Sequence, residues 1–270
     1  MIIMISRWLV VIATLLAPVS AADRKPFDHD YAVWDSIAKN HVRWLPDNVQ
    51  SRVDYAGIKK DGSSLVRVLG ELSAVNQPEF DKWNKSQQMA FLINAYNAFT
   101  VDLILTKYPD LRSIKDLGSF FESPWKQEFF TLLGAQHHLD WIEHAMLRAR
   151  YQDPRIHTAI VCASIGCPAL HPEAYTALRL DAQLEDGMRR FVSDKTRNRY
   201  REGKLEVSLI FKWFREDFEK GHQGFKGLED VFARYAENLT IDPQAQSKIR
   251  AKSVPITFLD YDWSLNDSAR

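Results

Sequence analysis

The stretch 86–104 constrains the fold of this chain more than any other. Met89, Leu92, Ile93, Tyr96, Phe99 and Leu103 recur at a 3.6-residue period, and Phe91, Ala95, Ala98 and Val101 carry apolar surface around most of the circumference. A helix of that kind has almost no face for water, so it must run through the middle of a core. Ser86 is placed to cap it, and Pro109 lies beyond its end. Two carboxamides, Asn94 and Asn97, sit inside it on neighbouring turns. A buried carboxamide without partners costs about 1–3 kcal/mol, so each must bond a neighbouring loop or a substrate, and the loop is the commoner use.

The rest of the pattern predicts an α+β fold, a predominantly helical single domain with a small sheet. Helices are expected at 31–42, 64–72, 139–150, 184–191, 209–218 and 228–236. In the helix at 139–150, Asp140 followed three residues later by Glu143 reads as a cap with its reciprocal partner. Residues 156–163 are rich in β-branched side chains and bounded by Asp153-Pro154 and Ser164-Ile165-Gly166, so they read as a buried strand. Residues 205–208 are a second strand candidate, possible partner to the first. The tail at 255–265 carries Ile256, Phe258, Tyr261 and Trp263, enough bulk to dock as an extended segment. No repeat, low-complexity stretch or Gly/Ser linker divides residues 27–270, which are expected to form one domain.

Charge narrows the partners. The chain has 35 basic and 35 acidic side chains, whereas a nucleic-acid binder shows a basic excess because affinity comes from neutralised phosphates. Nucleic acid is therefore not an expected partner. Near the start, Arg7 precedes an apolar run from Trp8 to Ala17, and Val19-Ser20-Ala21 has the small-x-small pattern of a cleavage site. Residues 1–21 are read as an export signal; the run is shorter than the ~20 residues that span a bilayer. The mature protein is expected in the periplasm or outside the cell, without stable membrane insertion.

Chemistry concentrates around the two cysteines, Cys162 and Cys167. In an oxidising compartment such a pair can form a disulfide. A metal pair is the weaker reading, because zinc ligands are usually spaced more tightly and no second pair follows. A nucleophilic thiolate is the third reading. It needs a base, a group orienting that base, and donors for an oxyanion. His144, His157 and His171 lie nearby in sequence, Glu143 adjoins the first, and the turn backbone at 163–166 offers N–H groups. Strict strand alternation would send His157 and Cys162 to opposite faces. Bland readings stand beside these: Glu143 as a cap, His144 as an interface histidine, and Cys162 as a small buried hydrophobe. No cofactor motif is present.

Together, Phe91-Leu92-Ile93-Asn94-Ala95-Tyr96-Asn97-Ala98, Ile142-Glu143-His144 with Leu147-Arg148, Asp153-Pro154-Arg155-Ile156-His157, Cys162-Ala163-Ser164 with Cys167-Pro168, and Tyr261-Asp262-Trp263-Ser264-Leu265-Asn266 resemble the domain-of-unknown-function 547 family. The resemblance implies an exported bacterial protein without a settled general activity. By analogy, its Glu-His and His-x4-Cys elements look like the polar centre of a cysteine-peptidase or transglutaminase-like fold. In plant-type members the second cysteine is often Ser, which favours Cys162 as the reactive one and argues against a family-wide disulfide. The expected mechanism makes Cys162 the nucleophile, His144 its base, and Glu143, Asn94 or Asn97 the orienting group. Arg148 or Arg155 would orient a carboxylate or serve in structural ion pairs. Two functions result: a thiol-dependent hydrolase or acyltransferase for amide or peptide bonds in a peptide or small-molecule substrate, or a non-catalytic envelope protein that binds a partner.

Overall fold

The computed structural model describes residues 26–119 and 122–269. The segment read as an export signal lies outside the described residues. Among those described, no helix is long and apolar enough to cross a membrane.

The central helix runs Lys85–Leu105, and every residue from Met89 to Val101 is buried. Asn84, rather than Ser86, caps it: its side chain accepts the Gln87 N–H at 2.9 Å, and the Gln87 side chain accepts the Asn84 N–H at 3.0 Å. The Gly62–Ala74 helix and the Trp141–Arg148 segment pack on this axis. Among the described residues, buried apolar side chains fall into two clusters. One gathers residues between Tyr31 and Leu184 together with Leu265, and the other runs from Met188 to Val254. The Leu180–Ser193 helix joins them, with Leu180 and Leu184 in the first and Met188, Phe191 and Val192 in the second.

Among the described residues, strands are short and form three small sheets: Val42–Trp44 with Ser51–Val53, Phe130–Leu132 with Ala135–His137, and a third of Arg199–Arg201, Lys204–Val207 and Ile256–Phe258. The chain is thus a mostly helical α+β protein. The strand expected at 205–208 is present, but its partners are the Arg199 hairpin arm and, in parallel, the tail.

The strand expected at 156–163 is not there. Pro154–Thr158 is a turn of 3-10 helix, because the Asp153 side chain accepts the Arg155 N–H at 3.0 Å and proline opens the first turn. The following backbone finds its partners in a side chain rather than in a ladder. Asn97 donates to the Ala159 carbonyl and accepts the Val161 N–H, both at 2.9 Å, so one carboxamide does the work of a neighbouring strand. The helix expected at 139–150 also differs. Trp141–Arg148 is π-wound and continues as Ala149–Tyr151, and Asp140 makes no side-chain capping bond. The capping box read from Asp140 and Glu143 does not form. The helix expected at 209–218 breaks at Phe214 into Leu209–Trp213 and Arg215–Glu219.

Candidate functional site

Where the two apolar clusters meet, a cleft of about 190 Å³ opens. The first cluster's side contributes Tyr96, Ile160, Cys162 and Cys167, the second contributes Ile210, Phe214 and Tyr261, and Trp125, Trp213 and Trp263 stand around them. Trp213, Tyr261 and Trp263 lie against one another with ring centroids 4.5 to 5.8 Å apart, giving a broad aromatic wall.

The cysteine loop is pinned from several directions. Asn97 holds the chain before it, as described. The tail then returns along it: the N–H of Ile165 donates to the Ser264 carbonyl at 2.7 Å, that of Gly166 to Asp262 at 2.8 Å, and that of Asn266 to Ala163 at 3.0 Å. Gly166 is required here because a Cβ would lie 2.9 Å from both the Asp262 carbonyl and the Tyr261 ring. Buried Arg197 bonds the carbonyls of Ile165 and Cys167 from below. Within the loop Ala163 takes a φ of 60°, a left-handed conformation that L-residues adopt at a cost of roughly 1–2 kcal/mol.

Cys162 is bonded to Cys167. The Cys162 N–H points at the Cys167 sulfur at 2.9 Å, and the Tyr261 hydroxyl stands 3.2 Å from both sulfurs. Ser164 Oγ is also 3.2 Å from the Cys162 sulfur. Of the turn N–H groups expected to serve an oxyanion, those of Ile165 and Gly166 are taken by the tail. Around the Cys162 sulfur the donors are the Ser164 and Tyr261 hydroxyls.

His157 also lines the cleft. It is buried, stacked on Phe214 at 3.9 Å, and its Nε2 lies 2.8 Å from Asp217 Oδ2. Burial of Asp217 opposes ionisation, but bonds from His157, Arg148 and Lys220 outweigh it and hold the carboxyl far below its ordinary range. An ionised Asp217 accepts only, so Nε2 carries the proton. Burial lowers the His157 pKa despite Asp217, which keeps the ring neutral and leaves a lone pair on Nδ1. That atom is buried and makes no hydrogen bond. Glu143 Oε1 lies 3.8 Å away from it.

Glu143 lies against Tyr96, whose hydroxyl is 3.4 Å from Oε2. Burial, aided by the charge of Asp140, pushes its pKa up to about 7 although Arg148 opposes the rise. His144, beside it in sequence, lines the cleft but is occupied elsewhere: Nδ1 is 2.8 Å from Arg148, Nε2 is 3.8 Å from Asp140, and the side chain is 45% exposed. Burial lowers its pKa.

The remaining residues singled out in sequence are brackets and ties. Asn94 exchanges two bonds with the Tyr175 backbone, donating to its carbonyl at 2.7 Å and accepting its N–H at 3.0 Å. Arg148 grips Asp217 at 2.5 Å. Arg155 pairs with Asp153, Asp181 and Glu185 and stands outside the cleft lining. The structure thus brings Glu143, His144, His157 and Cys162 to one cleft and keeps Asn94, Asn97 and Arg155 in supporting positions. Asp217, Tyr96 and Tyr261 are the functional candidates that the residue pattern did not mark; Tyr96 and Tyr261 had a signal, as members of the central-helix and tail motifs. Among the described residues, no group of three or more His, Cys, Asp and Glu side chains is arranged to hold a metal ion.

Residues 80–192 match the family model described as "Protein of unknown function, DUF547", the family that the motifs resemble. The matched segment carries the central helix, Glu143, His157 and both cysteines, whereas Asp217 and Tyr261 lie beyond it. No match was found among the curated proteins or among the solved structures.

Proposed function

We propose that this chain is a thiol-dependent hydrolase or acyltransferase acting on amide or peptide bonds, with Cys162 as nucleophile in the dithiol form and His157, rather than His144, as its base. The observation that carries this reading is His157 Nδ1, a buried lone pair held by the Nε2–Asp217 bond in the same cleft as Cys162. In the proposed step His157 takes the thiol proton and the sulfur attacks the carbonyl carbon. The amine then leaves with the proton from the imidazolium, and a thioester remains on Cys162. Water or an acceptor amine, deprotonated by the same imidazole, cleaves that thioester. Tyr261 and Ser164 supply hydroxyl donors beside the sulfur, and the aromatic wall would take the apolar part of a peptide or small-molecule substrate. Glu143, its pKa pushed up to about 7, lies 3.8 Å from Nδ1 and adds a second carboxyl beside the base.

The test uses phosphine-reduced protein and a panel of acyl p-nitrophenyl esters and peptidyl anilides. A burst of about one equivalent is expected, absent in Cys162→Ser and slowed by roughly 10²-fold or more in His157→Gln. No acylation of the reduced protein by any member, or a burst that survives Cys162→Ser, overturns the proposal. The reading also sets the protein outside the cytoplasm, supported by the apolar run Trp8 to Ala17 and checked by cell fractionation.

One observation favours a second reading, a non-catalytic envelope binding protein. The bond to Cys167 leaves the cleft as an aromatic pocket without a free nucleophile. Under that reading Cys162→Ser, normally folded, keeps the cellular phenotype intact, and Trp213→Ala abolishes it.

A further inference from the structure

We infer that the Cys162–Cys167 bond is itself reactive and that the cleft carries out thiol–disulfide exchange with a low-molecular-weight thiol, Cys162 being the sulfur attacked and Cys167 the sulfur that leaves. This activity needs no acyl substrate and stands apart from acyl transfer.

The bond has little structural work to do. It closes a loop of five residues' separation, and a short loop is where a cross-link removes the least chain entropy. The same loop is already held by Asn97, by Arg197 and by three backbone bonds to the tail. Its position is that of a reactant. Both sulfurs border a cleft open to solvent, Cys162 half-buried and Cys167 only 5% exposed. An incoming thiol therefore meets Cys162 first.

The two sulfurs also differ in what would stabilise them as thiolates. Cys167 faces the Cys162 N–H at 2.9 Å as well as the Tyr261 hydroxyl at 3.2 Å, and its carbonyl is fixed by the buried Arg197, which is paired with Asp194. Cys162 has hydroxyls alone, those of Ser164 and Tyr261. A sulfur with a backbone N–H donor is the better leaving thiolate.

A thiolate attacks the Cys162 sulfur, a mixed disulfide forms on Cys162, and the bond to Cys167 breaks with its electron pair leaving on the Cys167 sulfur. A second thiolate attacks the bound thiol's sulfur, releasing the small-molecule disulfide and the Cys162 thiolate. Two thiols lose two electrons in all, the protein disulfide gains them, and the two thiol protons end on the cysteines.

The experiment incubates folded, oxidised protein with reduced glutathione, quenches with iodoacetamide and maps the peptides. Glutathione on Cys162 with carbamidomethyl on Cys167 is expected, accompanied by a change in fluorescence from the neighbouring Trp213 and Trp263. Tyr261→Phe, which preserves the ring, should slow exchange about tenfold, the size expected for losing one hydrogen bond to a charged group. Three results overturn the inference: glutathione on Cys167, a bond that stays intact in the folded protein while reacting in urea, or an unchanged rate in a Tyr261→Phe protein of native circular dichroism. Mapping of the unsubstituted protein decides the direction of attack even if that variant does not fold. Because no acyl compound is present, the outcome is independent of the burst assay.

Discussion

Single side chains set most of the energetics of this site. Asn97 satisfies one carbonyl and one N–H that have no strand partner. Asn97→Leu should therefore cost about 2–6 kcal/mol, two buried polar groups at 1–3 kcal/mol each, read as a lowered urea midpoint. This role was legible in sequence, since an amide inside an apolar helix has to be spoken for. Glu143 was legible only in part: it stood beside His144 as an orienting candidate, but Asp140 three residues before it also satisfies the pattern of a capping box, and the π-wound Trp141–Arg148 segment decides between the two by burying it. Its titration gives a second test. The folded pKa of about 7 exceeds the ordinary 4.5, so the folded state holds the proton more tightly. Its contribution is fully present below pH 4.5 and is lost as pH rises through 7, about 3 kcal/mol in all. Glu143→Gln should match the parent near pH 4 and exceed it by about that amount above pH 8 in denaturant midpoints. His171, whose pKa burial lowers to about 4, and His157 give the opposite slope, stability rising with pH up to 6.5, so the difference between variant and parent is the quantity to measure. Asp140, Tyr96, Arg148 and Asp217 also bear on this carboxyl and are common to both proteins.

At the scale of elements, the central helix follows directly from its composition, because no solvent-facing arrangement accommodates thirteen consecutive buried residues from Met89 to Val101. The segment 156–163 shows where composition misleads. Its β-branched residues are buried as expected, yet Asp153-Pro154 commits the chain to a 3-10 turn, and side chains replace the ladder. With no strand there, alternation no longer separates His157 from Cys162. Gly166 marks the contact of the cysteine loop with the tail, and its constraint comes from a segment nearly a hundred residues away, which local sequence does not reveal. Gly166→Ala should push Tyr261 outward and cost about 1–3 kcal/mol; a thermal midpoint equal to the parent's would show that the tail gives way freely.

For the whole molecule, the informative feature is the junction of two apolar clusters. The α+β character and helical majority are readable from periodicity. The cleft is not, since it depends on how Phe214, Ile210 and Tyr261 from one cluster meet Ile160 and Tyr96 from the other. Asp217 escaped for the same reason, being 60 residues from the histidine it holds. The Leu180–Ser193 helix ties both clusters, and Met188 in it is fully buried. Met188→Ala should cost about 2–5 kcal/mol, with tryptophan fluorescence and circular dichroism still reporting one coincident unfolding transition; two separated transitions would show that the clusters unfold independently.

The returning tail carries one more consequence, in time rather than in energy. Tyr261 reaches Cys162 across 99 residues of chain, and Tyr55 meets Asn266 across 211. Contacts of such separation form late, after the loops they close have been organised. Until residues 261–266 dock, the cleft lacks its tyrosine wall and the cysteine loop lacks its clamp. On that order of events both sulfurs are open to exchange before the tail docks, and the site is completed when the tail returns to the cysteine loop.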